Sequence, residues 1–338
     1  MARIALDAMG GDHAPKAPIA GALEALAELP PQHRITLVGQ MAVMTATLDE
    51  LCAGDLKAHA HQRARLDLVD ALEVIEMGDK PTVALRSKRK SSMVVGLELH
   101  ASGDADAFVS AGNTGAQMAA SVVLLKLHAG LTRPAIGTLF PTAAHPVVVL
   151  DSGANVDCSP EELVSFARLG SVYAEDILGR PNPVVGLLSV GEEAEKGNAA
   201  VREAHKLLLT AGLNFQGNIE GRDVPRGASG RGPIDVVVCD GFTGNALLKF
   251  YEAVPGVIGG WLAKAGVSKE QMKQAFAPLD YQAYGGAPLL GVRGVSIICH
   301  GSSSALALKN AVLVALRAHE SQMSEHVGSK LAANRAAA

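Results

Sequence analysis

Short apolar runs alternate with helix-period segments along most of this chain. Ile4–Asp7, Ile35–Val38, Ala107–Ser110, Ile136–Phe140, Val147–Asp151, Val184–Leu188, Val236–Asp240 and Val295–Cys299 read as strands. Ala17–Glu28, Ala116–Leu127, Pro160–Ile177, Ala199–Ala211, Ala246–Tyr251 onward and Ala305–His319 repeat their apolar residues at helical spacing. The strand runs are nearly continuous Val, Ile and Leu, which requires cover on both faces. That pattern predicts an α/β protein, a layered α/β/α fold with a mainly parallel sheet. No low-complexity linker or internal repeat divides the chain. Residues 1–338 therefore read as a single α/β unit, open to division into two intertwined subdomains, with a helical tip near 253–280. Arg222–Pro233 reads as an exposed, mobile loop, and the Ala-rich tail after Gly328 as frayed.

Six segments end a strand, or begin a helix, in small and polar residues. They are Asp7–His13, Ser110–Gly115, Asp151–Asn155, Ser189–Asn198, Asp240–Asn245 and His300–Ser304. The carboxyl ends of parallel strands lie along one edge, where ligands bind, so six such tips predict one shared cleft. Glycines there let the backbone approach a ligand, and helix starts present free N–H groups. The candidate binding residues are Asp7, Gly10, Gly11, Asp12, His13, Asn113, Thr114, Gly115, Asp151, Asn155, Thr243, Gly244, Ser302 and Ser303. Their donors suit phosphate or a developing oxyanion. Lys196, beside Gly197 and Asn198, is a compact counter-charge for such a ligand. Neither a P-loop nor a G-x-G-x-x-G helix start is present.

Composition narrows the choice further. With 48% apolar residues, 36 glycines and only 4% aromatics, the 338-residue chain has a core of Val, Leu, Ile and Ala. A formal charge of −4 argues against a nucleic-acid partner. Cys52, Cys158, Cys239 and Cys299 show no C-x-x-C spacing and read as reduced, packed thiols of a cytoplasmic protein. No apolar stretch reaches the roughly 18–20 residues that span a bilayer.

Read together, Asp7-Ala-Met-Gly-Gly-Asp-His13, Ser110-Ala-Gly-Asn-Thr-Gly-Ala116, Leu150-Asp-Ser-Gly-Ala-Asn155, Gly191-Glu-Glu-Ala-Glu-Lys-Gly197, Gly217-Asn-Ile-Glu-Gly-Arg-Asp223, Asp240-Gly-Phe-Thr-Gly-Asn245 and His300-Gly-Ser-Ser303 resemble the bacterial phosphate acyltransferases, the PlsX family. The resemblance runs in order from residue 3 to about 320. It implies transfer of a long-chain acyl group from acyl carrier protein to inorganic phosphate, giving acyl phosphate for phospholipid synthesis. It also implies a fold similar to isocitrate and isopropylmalate dehydrogenases and to phosphotransacetylase, a homodimer, and peripheral membrane contact. The next acyltransferase of the pathway is an implied partner. Lys196 and Asn245 carry over as active-site residues.

Each residue also has a plainer reading. The alternative for Lys196 is a solvated charge paired with Glu192 or Glu193, and for Asn245 a helix cap. His300 is an acid for the departing thiolate, a phosphate-binding group, or a structural hydrogen-bonding group. Asp7, Asp12, Asp151 and Asp240 leave a divalent cation open, although no cofactor and no metal ligand set is assigned. Cys239 and Cys299 are less suited to a covalent route, because each ends an apolar strand. Arg86, Lys88, Arg89 and Lys90 form the densest basic run, either a solvated face or a dock for acidic carrier protein. Val257, Ile258, Trp261 and Leu262, among glycines and before Lys264, suit a tip resting on a membrane, or core or dimer packing.

Overall fold

In a computed structural model, which describes residues 1–277 and 284–337, the chain forms two compact units. The first comprises Met1–Gly130 and Gln282–Ala338, and the second Leu131–Tyr281. The expected helical tip runs to residue 280, so its end at 278–280 lies outside the described residues.

The first unit is built on parallel strands in the order Leu66–Asp70, Arg34–Gly39, Arg3–Asp7, Ala107–Ser110 and Ser296–Ile298, with Ala287–Leu290 antiparallel at the end. All four residues of Ala107–Ser110 are buried, as a strand covered on both faces requires. Helices Lys16–Glu28 and Ala305–Glu320 pack on one another and on these strands, as does Ser92–Ser102. The aromatic ring of Phe108 lies against Gly96, where any side chain would collide with it.

In the second unit the order is Thr138–Phe140, Val147–Leu150, Val236–Val238, Val185–Ser189 and Phe215–Glu220, parallel except for the first pair. Alternation along the strands feeds two helix layers. Val147, Val149 and Val237 share a core cluster against which Leu247, Leu248 and Tyr251 of helix Gly241–Lys264 pack. Val236 and Leu150 instead meet helix Pro160–Asp176 at Gly170. A capping box of Ser159 and Glu162, with Pro160 at the first position, starts that helix.

Several expectations change. The apolar run Ile136–Phe140 is two strands, Ala135–Ile136 and Thr138–Phe140. The break has a cause: the Ile136 N–H donates to the Asp151 carboxylate and its carbonyl accepts from the Ser152 N–H. Arg222–Pro233 is no loose loop. It carries a hairpin, Ala228–Ser229 against Gly232–Pro233, anchored by fully buried Val224 and by Asp223, which accepts from the Glu220 N–H at 2.9 Å. The tail as far as Ala337 continues helix Met323–Ala337, with Leu331 buried; Ala338 lies outside the described residues.

Helix Gly241–Lys264 runs 24 residues with Pro255 inside it, and the short helix Lys269–Phe276 follows behind a Ser268–Gln271 capping box. Among the described residues no helix is long and apolar enough to cross a membrane. A Cβ at Gly170 would lie 2.5 Å from Val236 Cγ1 and 2.9 Å from Leu150 Cδ1. Gly170→Ala should therefore cost about 1–3 kcal/mol by overpacking, measured as a lowered denaturation midpoint.

Candidate active site

Three of the six tips lie in the first unit, and hydrogen bonds lock them together. Asp7, ending its strand, is 2% exposed; its carboxylate accepts from Ser110 Oγ at 2.7 Å and from the Met9 N–H at 3.0 Å. Ser92 and the Gly10 N–H also donate to it. Burial nevertheless pushes the Asp7 carboxyl above the usual carboxylate range, against the pull of these donors. Gly10 must be glycine, because a Cβ would fall 2.6 Å from Asp7 Oδ2 and 2.8 Å from the Gly112 nitrogen. The Asp12 N–H donates to the Gly301 carbonyl at 2.7 Å, joining the first tip to the His300 turn.

The surface of this assembly is polar. Asp12, His13, Thr114, His300 and Ser302 are exposed, Gly11 and Gly115 half-buried, and Ser303 buried. His300 Nδ1 lies 2.7 Å from Ser302 Oγ and 3.3 Å from the Ser302 nitrogen. A backbone N–H can only donate, so the turn assigns the proton of the neutral ring to Nε2. Asn113 departs from its expected role. Its Oδ1 caps helix Thr114–Leu124 through the Ala116 N–H, while its Nδ2 donates to the carbonyls of Met77 and Asp79. Its amide is thus committed to the framework on both sides.

The second unit holds the other three tips and repeats the logic. Asp151, fully buried, accepts from the N–H groups of Ile136 and Ala154 through Oδ1 and from the Asn155 N–H and Nδ2 through Oδ2. Burial again raises its carboxyl above the ordinary range, and the donors oppose it. Asn155 is a framework residue too. Its Nδ2 also donates to the Pro134 carbonyl at 2.8 Å, and its carbonyl accepts from the Gly241 N–H at 2.7 Å. Gly244 packs against the Asp151 carbonyl so closely that no side chain fits.

At the start of helix Gly241–Lys264 the side chain of Asp240 is the cap, accepting from the half-buried Thr243's N–H at 2.7 Å. The Gly244 N–H donates to the Asp240 carbonyl at 3.0 Å. The N–H groups of Thr243 and Gly244 are thereby occupied within the turn, and Asn245, one turn into the helix, is exposed. Asn245 is not the cap. It stands over Gly153, with its Oδ1 3.5 Å from where a Gly153 Cβ would be.

Lys196 sits on the exposed loop that leaves strand Val185–Ser189 at the same carboxyl edge. Among the described residues it forms no ion pair with Glu192, Glu193 or any other acid. Of the basic run, Arg86, Arg89 and Lys90 are exposed, but Lys88 is tied down: Nζ meets Asp79 Oδ2 at 2.6 Å and the Val74 carbonyl at 2.8 Å. In the tip, Val257 and Trp261 are exposed and Ile258 and Leu262 half-buried. Trp261, at 66% exposure, does not pack in the core of its own chain.

Sequence reasoning missed Ser92, Asn218 and His205. Asn218 lies inside the Gly217–Asp223 segment, a signal that was visible but carried no chemistry by itself. Among the described residues no group of three or more His, Cys, Asp or Glu stands ready to share a metal ion. The Asp7 and Asp151 oxygens are turned to internal donors instead.

The mainly parallel α/β fold with polar strand tips is one that solved phosphotransacetylases share. The solved structures agree on fold: a phosphotransacetylase from Streptococcus pyogenes has a TM-score of 0.62 at 16% identity, covering 94% of each chain. The EutD phosphotransacetylase of Staphylococcus aureus gives 0.62 at 14%, again over 94% of each chain. Residues 2–326 match the family described as "Fatty acid synthesis protein". Phosphate acyltransferase from Heliobacterium modesticaldum is 46% identical over 345 residues, 97% of this chain and 98% of that protein. That of Desulforamulus reducens is 47% identical over 325 residues, 93% of each. The chain belongs to the phosphate acyltransferase family.

A thiol nucleophile is disfavoured by the local physics. Cys239 and Cys299 are buried; burial pushes Cys299 up to about 12 and Cys239 well above the ordinary thiol range. Neither thiol should react with an alkylating reagent at pH 8 until the protein is unfolded. Cys239→Ala should keep turnover within about twofold in a steady-state assay, since it loses only apolar packing and one weak Sγ–H hydrogen bond to the Asp151 carbonyl at 3.6 Å.

Proposed function

We propose that this enzyme moves a long-chain acyl group from acyl carrier protein to inorganic phosphate and releases acyl phosphate for phospholipid synthesis. The observation that carries the reading is Lys196: an exposed ammonium without an acidic partner among the described residues, on a loop at the carboxyl edge of a parallel sheet. Phosphate dianion is already nucleophilic at neutral pH, so no protein nucleophile is needed. A phosphate oxygen attacks the thioester carbonyl carbon, the carbonyl oxygen becomes an oxyanion, and its collapse breaks the C–S bond. The thiolate leaves with the electron pair and takes up a proton.

In this reading Lys196 holds phosphate and offsets the developing charge, and Asn245 Nδ2 donates to the carbonyl oxygen. A donor placed this way is worth about 3 kcal/mol in the transition state. The neutral His300 ring, with its proton on Nε2, is suited to donate a hydrogen bond to the departing thiolate, which takes its proton from solvent. Arg86, Arg89 and Lys90 are the proposed dock for the acidic carrier protein, with Lys88 removed from that set by its bond to Asp79. We place the enzyme in the cytoplasm as a homodimer that meets the membrane surface, in the company of the next acyltransferase. Phe250, Val257 and Trp261, all exposed on helix Gly241–Lys264, form the apolar stripe for that contact.

Lys196→Ala and Asn245→Ala should each lower kcat/KM by roughly a hundredfold with unchanged denaturation curves. The readout is acyl phosphate formed from acyl carrier protein and phosphate, with and without EDTA to test for a divalent cation. Near-normal rates in both variants would sink the assignment. Trp261→Ser should reduce co-sedimentation with anionic liposomes while leaving turnover on soluble substrates intact.

A further inference from the structure

The loop that carries Lys196 is exposed from Glu193 to Lys196, yet two of its successive carbonyls are gripped from below. The Glu193 carbonyl accepts from Asn218 Nδ2 at 2.8 Å and also from the Lys196 N–H at 3.1 Å. The Glu192 carbonyl accepts from Arg231 Nη2 at 3.2 Å. Both grips trace to one strand, Phe215–Glu220: Asn218 belongs to it, and Arg231 is fixed there by donating Nη1 to the Gln216 carbonyl at 2.6 Å.

Asn218 is 1% exposed, and its other end meets His205 Nδ1 at 2.8 Å; His205 is 7% exposed and sits edge-on to Phe215. The network leaves one arrangement of protons. A carbonyl can only accept, so the amide nitrogen must face Glu193. The amide oxygen then faces the imidazole, whose Nδ1 must carry the proton. A directed chain thus runs from His205 through Asn218 to the Glu193 carbonyl, and from there to the backbone of Lys196. Burying an imidazole and an amide is costly unless both are satisfied, and here both are aimed at a solvated loop. The far end of the loop is held separately, by Asn198 capping helix Ala199–Leu209 and by Arg202 donating to the Gly197 carbonyl at 2.7 Å.

We infer that Asn218, oriented by His205, is a positioning residue for Lys196, with Arg231 as a second support on the adjacent carbonyl. The inference rests on the proposed role of Lys196 toward phosphate. It acts through preorganisation: a charge held at one place binds and stabilises phosphate better than one that samples solvent, and small misplacements at a reacting centre are expensive in rate.

Asn218→Asp tests it with one atom changed. The new carboxylate still accepts from His205 but turns a lone pair, not an N–H, toward the Glu193 carbonyl. The phosphate KM should rise roughly tenfold while the KM for the acyl donor stays within twofold. In a Lys196→Ala background the same substitution should add less than about twofold to the loss, because the group it positions is gone. Arg231→Ala, at an exposed side chain, should shift phosphate KM in the same direction by a smaller factor. It decides alone if Asn218→Asp fails to fold.

A wild-type phosphate KM in both folded variants, with Lys196→Ala still strongly impaired, overturns this inference and leaves the function intact. So does an undiminished Asn218→Asp effect in the Lys196→Ala background. Near-normal turnover in Lys196→Ala removes the reading of Lys196 itself, and the inference with it.

Discussion

In each unit a buried carboxylate at the end of a central parallel strand gathers the donors of the turns around it. Asp7 collects Ser92, Ser110 and the N–H groups of Met9 and Gly10. Asp151 collects the N–H groups of Ile136, Ala154 and Asn155 and the Asn155 amide. Burial works against the charge of each and the donors work for it, so neither group has a favourable alternative to its present partners. The glycines follow from this constraint. Gly10 is pressed onto Asp7, to which its N–H donates, and Gly241 and Gly244 pack against Asp151 where a side chain would collide with it.

That arrangement divides the polar residues of the tips into two kinds. Asp7, Asn113, Asp151, Asn155 and Asp240 face inward and turn their hydrogen bonds to the framework. Lys196, Asn245, His300 and Ser302 stay exposed on top of it. Residue types alone did not separate them, since an asparagine after a strand reads the same as a cap, a staple or a ligand donor. Asn113 and Asn245 show the difference: one amide is bonded on both sides, the other belongs to an exposed residue standing over a glycine.

Much of the fold was legible because central strands and long helices carry strong periodic signals. Ala107–Ser110 and the start of Pro160–Asp176 follow from an unbroken apolar run and from a Ser-Pro-Glu-Glu helix start. The edges were not legible. Leu66–Asp70 and Phe215–Glu220 pack on one neighbour and mix polar with apolar residues, so neither alternation nor a continuous run marks them as strands. Arg222–Pro233 misled by composition: its glycines and prolines suggest looseness, whereas buried Val224 and the bonds of Asp223 pin it. The Lys196 support was hidden for a related reason, because His205 and Asn218 are ordinary residues 13 positions apart until helix and strand bring them to 2.8 Å.

The amino-acid sequence by itself determined the class of fold, the six polar tips and the family, since each rests on local pattern: apolar runs, helix caps and ordered short motifs. Only the tertiary structure decided the division into two units, gathered the tips of the first around Asp7 and the His300 turn, and placed two tips of the second around Asp151. It also decided which donors are left to face a substrate. Hydrogen bonds between residues distant in the chain, such as Asp7 with Ser110, leave no periodic trace in a sequence. They exist only once the strands are side by side.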